Sequence, residues 1–148
     1  MSMQNLNLSE CVFYFKEDPN GVKFIVRFIP KRVQQQFLAE SEKRGGKLTS
    51  FTSKFDSEKM AQKRVEYAVE GWENMKKKDL TDLLEVEDIE NWKQEFASLK
   101  YDDEIPFTPE NLQLLALYHS SEFANFLSQC QDDIKVLMKK KADDELKN

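Results

Sequence analysis

A chain of 148 residues, 40% of them hydrophobic and 33% charged, is long enough for one domain with its own core. Its net charge of −5 is uneven: residues 1–72 carry +3, residues 73–110 carry −7 and residues 111–148 carry −1. The acidic middle argues against a protein wrapped around nucleic acid, and the scarcity of glycine and proline argues for a helix-rich one.

The first ten residues, MSMQNLNLSE, lack the basic start and apolar run of a secretory leader. No apolar stretch approaches the roughly 20 residues needed to span a bilayer. A cytoplasmic protein with no membrane partner is expected. CVFYFKEDPNGVKFIVRF then reads as a β-hairpin. Asp18-Pro19-Asn20-Gly21 supplies the turn, with Asn-Gly accepting positive φ. Cys11, Phe13 and Phe15 alternate with Val12 and Tyr14 on the first strand. Val22, Phe24, Val26 and Phe28 share a face of the second. Ile25 and Ile29 make the opposite face partly apolar. A two-stranded sheet is marginal alone, so helices must cover it or another copy of the chain must pair with it.

Pro30 ends the strand and suits the start of a helix carrying Val33, Phe37 and Leu38, which Gly45-Gly46 stops. Phe51 and Phe55 fall in the loop that follows. Ala61, Val65, Ala68 and Trp72 at helical spacing predict an amphipathic helix from Asp56 or Ser57, with Gly71 near its end. Ile89, Trp92, Phe96 and Leu99 predict another helix over about 86–99, in a charged region that reads as an insertion or an arm. Thr108 and Pro109 open a helix with Leu112, Leu115 and Ala116 on its buried side. Ser120 and Ser121 break it and cap a last helix carrying Phe123, Phe126, Leu127, Cys130, Ile134, Leu137 and Met138. The expected fold is α+β, mainly α: an N-terminal hairpin followed by a bundle of about four to five helices. Residues 1–140 form one domain, and the polar tail 141–148 is expected to be disordered.

Reactive chemistry is sparse. His119 is the one histidine and falls near a helix end, where a cation suits the dipole. Cys11 and Cys130 fit neither metal spacing nor CxxC and read as buried thiols. The runs Asp102-Asp103-Glu104, Asp132-Asp133 and Asp143-Asp144 read as solvated acids rather than an opposed catalytic pair. There is no phosphate loop, HExxH or calcium loop. VKFIVRFIPKR interleaves basic and aromatic residues, but Phe24 and Phe28 share their face with valines and read as core rather than as a base-stacking platform. No enzyme activity, cofactor or metal is expected. Tyr14, Ile25, Ile29, Trp72 and Trp92 are the candidate partner-binding residues, because large apolar groups beyond the need of one small core mark a contact surface.

Three pieces carry a resemblance: VKFIVRFIPKR, RVEYAVEGWENM and DEIPFTPENLQLLALYHSSEFANFL. Their order resembles the tail assembly chaperones of long-tailed bacteriophages and prophages. Those proteins often show an F-x-V-R strand, a helix ending in Trp after Gly, and a final pair of helices opened by a pF-[ST]-x-E-n start. Gly71-Trp72 and Pro106 to Asn111 match. The chain departs from that pattern in the thirty or so residues between Trp72 and Ile105, where the family often has a short loop. The resemblance implies a small helical protein of the bacterial host cytoplasm, without enzymatic activity. It would bind the apolar helical tape measure protein before tail polymerisation and help recruit the tail tube protein. The alternative reading is a structural virion component such as a head–tail connector or tail-completion protein.

Overall fold

The computed structural model describes residues 11–41, 57–87 and 94–147. Its sheet has three antiparallel strands in the order β1-β2-β3: β1 is Val12–Tyr14, β2 is Lys23–Val26 and β3 is Val69–Glu73. The helices among the described residues are α1 (Lys31–Glu40), α2 (Ser57–Ala68), α3 (Leu80–Leu83), α4 (Gln94–Ala97), α5 (Pro109–Tyr118) and α6 (Ser121–Lys147). The architecture is therefore α+β and mainly α. The N-terminal hairpin is present, with Val12 opposite Ile25, Phe13 opposite Phe24 and Tyr14 opposite Lys23.

The hairpin turn is built differently from its expected form. A 3-10 turn over Phe15–Glu17 precedes Asp18, whose carboxylate accepts from the Asn20 amide at 2.9 Å and whose carbonyl accepts from the Gly21 amide at 2.9 Å. Positive φ falls on Lys16 (58°) and Glu17 (57°), not on Asn20 or Gly21. Two consecutive side-chain-bearing residues thus occupy the left-handed region, at a cost of roughly 1–2 kcal/mol each.

The third strand corrects the expected helix through Trp72. That helix stops at Ala68, and the chain passes directly into β3. Phe24 faces Trp72 and Ile25 faces Gly71, and the Arg27 amide donates to the Ala68 carbonyl at 2.8 Å. Pairing with β2 outweighs the helical spacing of Ala61, Val65, Ala68 and Trp72. The C-terminal end of α2 has no cation of its own. Arg27, just past the end of β2, supplies one, donating from Nε to the Tyr67 carbonyl at 2.6 Å while its guanidinium lies 3.8 Å from the Tyr67 ring centre.

The segment after β3 folds back on itself. The Lys77 amide donates to Asp103, Lys78 to Tyr101 and Ile105 to Met75. Met75, Leu80, Leu83, Leu84, Phe96 and Ile105 all enter the core, so the described part of this acidic region is a packed lobe rather than an arm. Of the expected helix over 86–99, the described residues 86–87 are not helical, Gln94–Ala97 form α4, and residues 88–93 lie outside the described residues. Its predicted start is not helical, because Leu84 and Glu85 pair with the end of α5 instead: they bridge to His119 and bond to the Tyr118 carbonyl at 2.7 Å. Gly45, Gly46, Phe51, Phe55, Ile89 and Trp92 lie outside the described residues.

The helix ends follow their local chemistry. Thr108 Oγ1 accepts from the Asn111 amide at 3.1 Å with Pro109 in the first turn, and the Asn111 side chain donates back to the Pro106 carbonyl at 2.9 Å. Ser120 Oγ accepts from the Phe123 amide at 3.1 Å and donates to the Asp82 carbonyl at 2.6 Å, capping α6 and pinning it to α3. Helix α6 continues to Lys147, through the residues assigned to a disordered tail.

Candidate functional site

The phenylalanines concentrate in the core. Phe24 and Phe123 are fully buried and Phe15 nearly so; together with half-buried Phe126 they pack with ring centres 5.2 to 6.4 Å apart. Trp72 extends the cluster through Phe24 at 6.2 Å and Phe107 at 4.9 Å. Its indole N–H donates to the Ile105 carbonyl at 2.8 Å. Such pairs contribute about 0.5–1.5 kcal/mol each beyond their area, so the aromatic surplus fills the joint between sheet and α6.

Two of the five candidate partner residues are thereby reassigned. Trp72, 6% exposed and hydrogen-bonded, is a core residue. Ile29 is 0% exposed and also belongs to the core. It lies beyond the end of β2, where the chain leaves the sheet, so strand alternation does not apply to it. Ile25 is half-buried, its Cδ1 lying over Gly71. Tyr14, 40% exposed, is the one described candidate left on the surface. Trp92 lies outside the described residues.

A residue that periodicity passed over holds the end of β2. Gln131 on α6 is buried, and its side-chain amide accepts from the Ile29 amide at 2.8 Å and donates to the Arg27 carbonyl at 2.9 Å. It acts as a one-residue strand partner just past the end of β2, beyond the irregularity in the β2–β3 pairing at Ile25 and Val26. Its position next to Cys130 in the apolar run of the last helix was the available signal.

Tyr14 lines a large concavity, a groove of about 790 Å³ between the outer edge of β1 and α6. Val12, Phe13, Phe126 and Cys130 form its apolar part, and Lys16, Glu17, Glu122 and Asp133 stand around it. Lys16 reaches Asp82 at 2.8 Å and Glu122 at 3.6 Å, and these carboxylates raise its pKa. Among the described residues no cation pairs with Glu17 or Asp133. Burial, and after it the charge of Asp133, push the Cys130 thiol up to about 12, so it stays protonated and unreactive at neutral pH.

His119 ends α5 and its Nδ1–H donates to the Ala116 carbonyl at 2.9 Å, a structural role at a helix terminus. Cys11 and Cys130 are both buried, and neither is in a disulfide. Among the described residues no cluster of His, Cys, Asp or Glu could hold a metal ion, and no helix is long and apolar enough to cross a membrane. The geometry defines a small α+β domain that carries an apolar groove with an acidic rim. No family model, curated protein or solved structure matches the chain.

Proposed function

We propose that this protein is a non-enzymatic tail assembly chaperone of a long-tailed bacteriophage or prophage. It acts in the bacterial cytoplasm, where it binds the tape measure protein before the tail polymerises. The order of segments supports this reading, and the groove between β1 and α6 carries it: an apolar concavity of about 790 Å³ beside a half-exposed tyrosine is suited to holding a client rather than to chemistry. The acidic surface around it would keep a complex with an apolar client dissolved.

The test is co-expression with the tape measure protein, read as client solubility and pull-down. Tyr14→Asp places a carboxylate beside Glu17 and Asp133 in the groove, and is expected to cut client recovery at least tenfold with an unchanged circular dichroism spectrum. Val136→Asp, on an exposed part of α6, is the control that should retain it. A folded Tyr14→Asp protein that still keeps the client soluble excludes the groove. Mass spectrometry of purified virions separates this reading from a virion component, because a chaperone is absent from the finished particle.

A further inference from the structure

The groove has a backbone along one wall. The Phe15 amide donates to the Val22 carbonyl at 2.9 Å, so Phe15 and Val22 form a hydrogen-bonded pair. In an antiparallel ladder such pairs alternate, and Phe13 with Phe24 is therefore the next one. Val12 and Tyr14 lie at the intervening positions, and their N–H and C=O groups point away from β2, along the outer edge of the sheet. Among the described residues no strand pairs on that side. Both residues line the groove, and Phe126 and Cys130 of α6 form its opposite side.

We propose that the groove takes an extended segment of another protein, apolar at alternate positions and flanked by Lys or Arg, which adds to β1 as a fourth strand. The proposal rests on the reading of this groove as the client-binding surface, though not on the client being a tape measure protein. Main-chain bonds to Val12 and Tyr14 would set the register, and every second side chain would enter the space before Phe126. A helix, whose amides are satisfied internally, could not use this edge.

Charge chooses the occupant. Glu17 and Asp133 flank the groove without a cation partner among the described residues, and Lys16 is already drawn to Asp82 and Glu122. A second copy of the chain would bring the same carboxylates against their equivalents. The chain's own first ten residues contain no Lys or Arg and include Glu10. A basic-flanked segment answers both carboxylates at once.

The experiment uses the full-length ¹⁵N-labelled protein and three blocked peptides. The first is Lys-Val-Thr-Val-Thr-Val-Lys, the second has Glu at both ends, and the third is the first with alternate amides N-methylated. The lysine-ended peptide is expected to shift the Val12 and Tyr14 amides and to bind at least tenfold tighter than its glutamate twin. N-methylation is expected to abolish binding, since it removes the donors and little else. In the double variant Glu17→Lys, Asp133→Lys the order of the two charged peptides should reverse. Equal affinity of the charged peptides, undiminished binding of the N-methylated one, or unmoved Val12 and Tyr14 amides overturns the proposal. So do shifts of those amides with protein concentration alone, which mean a second copy, and contacts from residues 1–10 to β1 in the free protein. Failure with the tape measure protein alongside success with the peptides would reject the chaperone reading and leave strand addition standing.

Discussion

Gln131 shows how one side chain can decide whether a strand end is tolerable. Arg27 and Ile29 lie just past the end of β2, and the side-chain amide of Gln131 meets the carbonyl of the first and the N–H of the second. Gln131→Leu keeps the volume and removes both bonds. It leaves the buried Ile29 N–H and the part-buried Arg27 carbonyl unpaired, each costing roughly 1–3 kcal/mol. A loss of about 2–4 kcal/mol in urea unfolding is expected, with an unchanged m-value. A loss below about 1 kcal/mol would mean that water reaches the two groups. Cys130, one residue earlier, acts through its proton. Its folded pKa is raised from 9.0 to about 12, so both states are protonated below pH 9 and the thiol adds no pH dependence there. Above pH 9 the unfolded chain ionises while the folded one does not, and stability falls towards pH 12. Cys130→Val should therefore lose less stability than the native protein between pH 9 and 10.5, compared in parallel thermal melts.

At the scale of elements, local chemistry and tertiary pairing divide the fold between them. Thr108→Ala removes the acceptor for the Asn111 amide and should cost about 1 kcal/mol, read as a lower melting temperature with unchanged helix content. A neutral result would place the start of α5 under the control of packing alone. This cap was legible in the sequence, as were Ser120 before α6 and the place, though not the form, of the Asp18 turn, because each joins groups three residues apart or fewer. Strand β3 was hidden. Val69 to Glu73 is too short for period 2 to be told from period 3.6, and Trp72 continues the helical spacing by coincidence. Only β2, more than forty residues earlier, makes it a strand. Of the candidate partner residues the sequence offered, Tyr14 lies on the surface, while Ile29 and Trp72 are taken up by the core. Large apolar side chains signal burial and binding alike, and the sequence does not say how many of them the core can absorb.

Across the whole molecule, one layer of sheet and one long helix enclose the aromatic cluster, and they come from opposite ends of the chain. Phe15 and Phe24 belong to the first hairpin, Phe123 and Phe126 to the last helix, and Ile29 and Gln131, which bond across the joint, are 102 positions apart. Contacts of such separation close late, because the intervening chain must be ordered before they stabilise anything. A ribosome delivers the hairpin about a hundred residues before the helix that covers it. During that interval the greasy side of the hairpin has no lid of its own and must stay wet or rest on whatever shields newborn polypeptides. A reading frame cut short before Ser121 would leave it uncovered for good, so helix α6 is what makes the hairpin presentable.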